Sequence, residues 1–190
     1  MIELVLGGAR SGKSAFAEQQ IKQLNQLTKV SYIATATAVD KEMKARIDKH
    51  QQDRASCEWQ TVECPMLLAD YLASADNQKV YLVECLSMWV NNLIYQCEQK
   101  KLSYEASDSY LTEQRNALLN TLTSKPLSVV IVSNEVGFGI TPLGQSTRLF
   151  VDHLGWLNQA IAKVAGKVTL VCAGIPLTLK DTVHTENKDG

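Results

Sequence analysis

Short apolar runs separated by longer amphipathic stretches set the rhythm of this chain. The runs are Ile2–Leu6, Lys29–Ala34, Lys79–Glu84, Ser128–Val132 and Lys167–Cys172, and each predicts a strand. Apolar residues follow one another in them instead of alternating with polar ones, the pattern of strands buried on both faces. Between them the period lengthens. Ala17, Ile21 and Leu24 stand at helical spacing and predict a helix from Ala15 to about Leu27. Asp40 is placed to cap a charged helix reaching Arg54, with Glu42 in its first turn and Met43, Ile47 and His50 along one face. Further helices are expected around 67–72, from Cys85 to Leu93, over 109–123 and over 144–165. Three stretches predict no regular element: a polar bend holding Trp59 and Glu63-Cys64-Pro65, the polar segment 97–108 (a helix end or a loop), and Ala173-Gly174-Ile175-Pro176. Strands separated by helices predict an α/β fold, a mostly parallel sheet with helices on both faces. No repeat or linker divides the chain, so residues 1–180 are expected to form one domain, with 181–190 a polar, disordered tail.

Composition narrows the function. Of 190 residues, 45% are hydrophobic and 21% charged, as in ordinary globular domains, and the net charge of −1 offers no basic footprint for nucleic acid or an anionic membrane. Five scattered cysteines form no C-x-x-C pair, which argues against structural zinc and for reduced thiols. Met1-Ile2-Glu3-Leu4 lacks the basic and apolar regions of a signal peptide, and no run approaches the roughly 20 apolar residues of a membrane span. A cytoplasmic enzyme is expected.

The chemistry begins at Gly7-Gly8-Ala9-Arg10-Ser11-Gly12-Lys13-Ser14, which fits the phosphate-binding pattern G-x-x-x-x-G-K-[ST] at every specified position. Placed between a strand and a helix, such a loop points backbone N–H groups at a polyphosphate. Lys13 is then expected at the β- and γ-phosphates and the Ser14 hydroxyl on Mg²⁺. The fold expected is therefore P-loop NTPase-like. Ligands of such sheets sit beyond the carboxyl ends of the strands, so Ala34-Thr35-Ala36, Glu84 and Asn134-Glu135 should share a rim with the loop. Glu84, ending an apolar strand, is either an acid held near Mg²⁺, directly or through water, or simply a polar exit from the core. Asn134-Glu135, with Gly137 and Gly139, either position a ligand or form a turn. His50 taken alone is most simply a surface residue, although Arg46 and Arg54, one turn to either side, would suit anionic phosphates. A neutral imidazole there would be a nucleophile near pH 7.

Several motifs occur together and in order. After the loop come Tyr-Ile-Ala-Thr-Ala (32–36), Met-x-x-Arg-Ile-x-x-His (43–50), Trp59 and Glu63. Glu-Cys-Leu-Ser-Met-Trp-Val-x-Asn (84–92), Ser-Asn-Glu-Val-Gly-x-Gly-Ile-x-Pro (133–142), Leu-Asn-Gln (157–159) and Ala-Gly-Ile-Pro (173–176) follow. To about Lys180 the chain resembles the bifunctional adenosylcobinamide kinase / adenosylcobinamide-phosphate guanylyltransferases of cobalamin biosynthesis. The resemblance implies two reactions. ATP or GTP phosphorylates adenosylcobinamide, and GTP then guanylylates a histidine, from which GMP passes to adenosylcobinamide phosphate to give adenosyl-GDP-cobinamide. The guanylylated histidine falls on His50. Implied nucleotide contacts fall on residues 7–14, Ala34, Thr35, Ala36, Gln51, Gln52, Asp53, Arg54, Glu63 and Glu84, with Mg²⁺ as cofactor. A homotrimer is also implied.

The match has departures. Gln51-Gln52-Asp53-Arg54 lacks a glycine often found there, and Val151 and Trp156 stand where relatives commonly carry arginines. Two other readings stay open on the residues alone. One is a small-molecule or nucleotide kinase with no covalent step. The other is a nucleotide-dependent switch or binding module, which the lack of an Asn-Lys-x-Asp base-recognition motif disfavours.

Overall fold

A computed structural model describes residues 1–24, 29–38, 40–54 and 57–182; the side chains of Gln23, Leu24, Arg46, His50 and Asp53 lie outside the described residues. Thirteen elements are assigned among the described residues: β1 (Ile2–Gly7), α1 (Lys13–Leu24), β2 (Val30–Ala34), α2 (Lys41–Asp53), β3 (Gln60–Glu63), α3 (Leu68–Ala73), β4 (Val80–Glu84), α4 (Leu86–Gln99), α5 (Tyr104–Ser124), β5 (Ser128–Asn134), α6 (Gln145–Val164), β6 (Lys167–Cys172) and β7 (Ile175–Asp181). The strands make one sheet in the order β3-β2-β4-β5-β1-β6-β7. Every pairing is parallel except β6 with β7.

The apolar runs occupy the middle of the sheet because they must be covered twice. On one face Leu4, Leu6, Ile33, Val83 and Ile131 pack against α3, α4, α5 and α6, with Trp89 and Leu118 fully enclosed. On the other, Val5, Tyr32, Leu82, Val130 and Val132 receive Ala17 and Ile21 of α1. The fold is thus the predicted α/β, P-loop NTPase-like sheet with helices on both faces. Leu82 is wholly buried at the centre of the α1 face. Leu82→Ala should cost about 2–5 kcal/mol, read as a lowered denaturation midpoint at unchanged slope. A smaller loss would mean that the α1 side closes over the gap.

The edges depart from expectation. The predicted polar bend contains β3, a strand whose side chains are mostly exposed, paired with β2 from Ser31↔Gln60 to Ala34↔Glu63. Ala173-Gly174 turns the chain into β7, which runs back along β6 as an exposed edge. Pro176 is tolerated there because an edge strand can spare an N–H. Asp181, expected in the tail, closes this strand opposite Lys167; 183–190 lie outside the described residues, as do 25–28 at the predicted end of the first helix. The segment 97–108 is mostly helical. It completes α4, turns through Lys100–Ser103, and opens α5, whose cap is the Ser103 hydroxyl accepting from the Ala106 N–H. The remaining boundaries agree to within a few residues. Asp40 caps α2 as predicted, its carboxylate accepting from the Met43 N–H at 2.7 Å.

Candidate nucleotide-transfer site

Parallel pairing brings the carboxyl ends of β1, β2, β4 and β5 to one rim. Gly7 stands opposite Asn134, and Ala34 opposite Glu84. The phosphate loop leaves β1 at that rim and is fixed by its smallest residues. A Cβ on Gly7 would meet the Val171 carbonyl at 2.6 Å and also the Ser11 hydroxyl oxygen. Gly12 takes φ +93, and Arg10 takes φ 58, a left-handed conformation that costs a non-glycine residue of the order of 1 kcal/mol. The loop is braced from behind by the β6–β7 turn, where the Gly174 N–H donates to the Ser11 carbonyl at 2.8 Å. This brace is invisible in the loop's own sequence; the only cue was the small pair Ala173-Gly174 after an apolar strand.

Lys13, buried at the start of α1, reaches back so that its ammonium donates to the Gly8 carbonyl at 3.1 Å. The Ser14 hydroxyl donates to Glu84 Oε1 at 2.8 Å. The other oxygen of that carboxylate, Oε2, is buried with no hydrogen-bond partner. Burial raises the Glu84 pKa to about 7, against the opposing pull of the Ser14 hydrogen bond and Lys13. A hydroxyl, an orphaned carboxylate oxygen and a nearby phosphate cradle suit a hard cation such as Mg²⁺, which takes few protein ligands beside substrate phosphates. Among the described residues no group of three or more His, Cys, Asp or Glu side chains is placed to hold a metal ion.

The raised pKa has a consequence for stability. The unfolded chain releases this proton near 4.5 and the folded chain near 7, so the folded state binds more protons between those values. The Glu84 contribution to stability therefore falls as pH rises from 4.5 to 7, by up to about 1.4 kcal/mol per pH unit. Thermal midpoints of metal-free protein across that window should show this slope, and Glu84→Gln should flatten it. Equal slopes in the two proteins would refute the assignment.

Thr35 is wholly buried and ties the end of β2 to the acid strand. Its hydroxyl donates to the Cys85 carbonyl at 2.7 Å and accepts from the Cys85 N–H at 2.8 Å. Asn92, a polar residue on the buried face of α4, donates to the carbonyls of Thr35 and Pro65. Ala34 and Ala36 flank Thr35 on the same rim. Glu63 is separated from Glu84 by the whole of β2, since Ala34 pairs with both. It is exposed at the sheet edge, away from the Ser14–Glu84 pair.

α2 carries position 50, but the His50 side chain lies outside the described residues, as do those of Asp53 and Arg46. Gln51 and Gln52 are exposed. Arg54 is the exception in this region. No described side chain within α2 is buried, whereas Arg54, at its C-cap, is. Its guanidinium lies 3.5 Å from the centre of the Tyr32 ring and 3.5 Å from Glu18 Oε1 of α1. The Arg54 side chain is therefore held by protein groups, and this anchors the end of α2 to the helix of the phosphate loop. Glu18 had no signal in the sequence beyond its helical pattern, and Tyr32 none beyond opening the motif 32–36.

The cysteines divide: Cys64 and Cys97 are buried, while Cys172 is exposed. Trp89 is core, and Trp156 is half-exposed on α6 against His153 and Arg115. His153 is buried 3.0 Å from Asp108, and burial lowers its pKa despite that partner. It joins α5 to α6.

Residues 3–179 match the family described as cobinamide kinase / cobinamide phosphate guanyltransferase. The chain belongs to this family. The bifunctional adenosylcobalamin biosynthesis protein CobP of Pseudomonas aeruginosa is 43% identical over 95% of this chain and 98% of its own length. The bifunctional protein CobU of Escherichia coli K12 is 38% identical over 95% of this chain and its whole length. Among solved structures, a Pyrococcus horikoshii OT3 protein, PH0250, superposes with a TM-score of 0.55 at 10% identity, covering 97% of this chain and 88% of that one. A solved ATPase domain gives 0.51 at 11% identity, covering 89% and 68%. At such identities these two speak for the fold alone.

Proposed function

We propose that this protein phosphorylates adenosylcobinamide with ATP or GTP and then guanylylates the product from GTP through a GMP-histidine at His50. The observation that carries the reading is the Ser14–Glu84 contact at 2.8 Å beside Lys13, in a chain that matches the kinase and guanyltransferase family over residues 3–179. In the first reaction the substrate hydroxyl oxygen attacks the γ-phosphorus, and the β–γ bridging bond breaks. In the second, an imidazole nitrogen of His50 attacks the α-phosphorus of GTP and pyrophosphate leaves. A phosphate oxygen of adenosylcobinamide phosphate then displaces the imidazole, breaking the P–N bond and restoring free histidine.

Lys13 and the N–H groups of residues 7–14 hold the phosphates and take up charge on the departing pyrophosphate. The Gly174–Ser11 hydrogen bond keeps those groups in position. Ser14 and Glu84 would hold Mg²⁺, which when bound neutralises phosphate charge. Arg54 fixes the end of α2, one helical turn beyond His50. Within this reading Gln51, Gln52 and Glu63, all exposed, offer their side chains to the nucleotide.

Among the described residues no helix is long and apolar enough to cross a membrane. A cytoplasmic homotrimer of single-domain subunits completes the proposal, with sedimentation velocity as the check on assembly. The chemistry is tested by incubating the protein with α-³²P-GTP and Mg²⁺ and then denaturing it. An acid-labile, base-stable label, released on adding adenosylcobinamide phosphate, is expected. A kinase without a covalent step would leave the denatured protein unlabelled.

A further inference from the structure

The loop joining β5 to α6 exposes its largest apolar side chains. Phe138 is 86% exposed, Ile140 97% and Leu143 97%, in a stretch from Val136 to Gly144 that holds no charged residue. Isolated exposed apolar residues are commonplace, but three in a short loop mark a contact surface. The loop is also braced at both ends. At its start, Asn158 of α6 donates to the Asn134 carbonyl at 3.0 Å, and the Glu135 carboxylate accepts from the Gly137 N–H at 2.7 Å. At its end, the Arg148 guanidinium donates to the carbonyls of Pro142 and Leu143. Val136 turns inward against the core. The apolar side chains therefore stand outward on a held backbone.

Position identifies what they meet. β5 ends at Asn134 opposite Gly7, and the Glu135 N–H donates to the Gly7 carbonyl at 3.1 Å. The loop thus rises from the catalytic rim itself, hydrogen-bonded to the first residue of the phosphate loop. Both proposed reactions bring to this rim an acceptor far bulkier than its reacting hydroxyl or phosphate. A corrin ring presents broad, methyl-bearing apolar faces and uncharged amide arms. The phosphate loop takes the charged nucleotide; a charge-free apolar platform beside it suits the body of such an acceptor.

We infer that Phe138, Ile140 and Leu143 form the docking platform for the corrin macrocycle of the acceptor substrate. This rests on the proposed function. The platform grips the ring while the aminopropanol arm extends toward the phosphate loop. It takes no part in the attack of His50 on GTP, which needs no corrinoid.

The test compares wild-type protein with the double variant Ile140→Ser/Leu143→Ser. Initial rates of phosphorylation are measured against adenosylcobinamide concentration, and covalent labelling by α-³²P-GTP is measured in parallel. Removing two leucine-sized contacts should raise KM for adenosylcobinamide about tenfold or more. Labelling rate, KM for the nucleotide and sedimentation coefficient should stay at wild-type values, and Ile140→Val/Leu143→Ile should restore the corrinoid KM. An unchanged corrinoid KM overturns the platform, and so does an altered sedimentation coefficient, which would make this face a contact between copies of the chain. Should the double substitution also slow labelling, the single variant Ile140→Ser decides by the same comparison. Wild-type protein that does not phosphorylate adenosylcobinamide refutes the proposed function; turnover with an unmoved KM refutes only the platform.

Discussion

His50→Ala should abolish covalent labelling by α-³²P-GTP and leave phosphorylation of adenosylcobinamide within a fewfold of wild type. Nucleophilic catalysis divides one displacement into two, and without the nitrogen no P–N bond can form. The kinase step transfers the γ-phosphoryl directly and draws on the loop, Lys13, Ser14 and Glu84, none of which the substitution touches. α2 should tolerate the change, because alanine favours helix and the helix depends on its Asp40 cap and the Arg54 anchor. Circular dichroism should therefore be unaltered. Labelling that persists in His50→Ala places the intermediate on another residue. Loss of both activities would mean that α2 also serves the kinase step.

How far the sequence discloses this molecule follows from what each residue must do locally. The central strands were legible because burial on both faces demands unbroken apolar runs, and their alternation with helices implied the parallel sheet. β3 and β7 were not, because edge strands face solvent: Gln60-Thr61-Val62-Glu63 is mostly polar, and β7 carries Pro176. The phosphate loop was legible because it is built from consecutive residues with fixed chemistry. The Ser14–Glu84 contact followed from the strand-end rule, since an acid closing β4 faces the helix that follows β1. The Arg54–Tyr32–Glu18 cluster and the Gly174 brace were hidden, because each joins segments far apart in the chain through contacts without a local pattern. The same is true of Arg54's anchoring role: the motif implied a nucleotide contact, and the packing of its guanidinium against Tyr32 and Glu18 had no cue beside it.

Lys13→Ala is expected to depress both reactions, kinase turnover and His50 labelling alike, by about 10²–10³-fold, the usual cost of removing one charge aimed at a developing anion. The lysine is buried at the head of α1, within reach of the Gly8 carbonyl, so its ammonium lies inside the loop that the phosphates enter. In the kinase step it would meet charge on the transferring γ-phosphoryl; in guanylylation it would meet charge on the departing pyrophosphate. A shared loss is thus the signature of one phosphate cradle serving two chemistries, in contrast to the selective loss in His50→Ala. The sharper measurement is the split between kcat and KM. If the ammonium acts chiefly on charge that appears during transfer, kcat falls while the nucleotide KM changes little. A loss confined to one reaction would show that the two draw on different phosphate sites. A rise in nucleotide KM alone, overcome by saturating GTP, would reduce Lys13 to a binding contact, leaving the loop N–H groups to stabilise the leaving pyrophosphate.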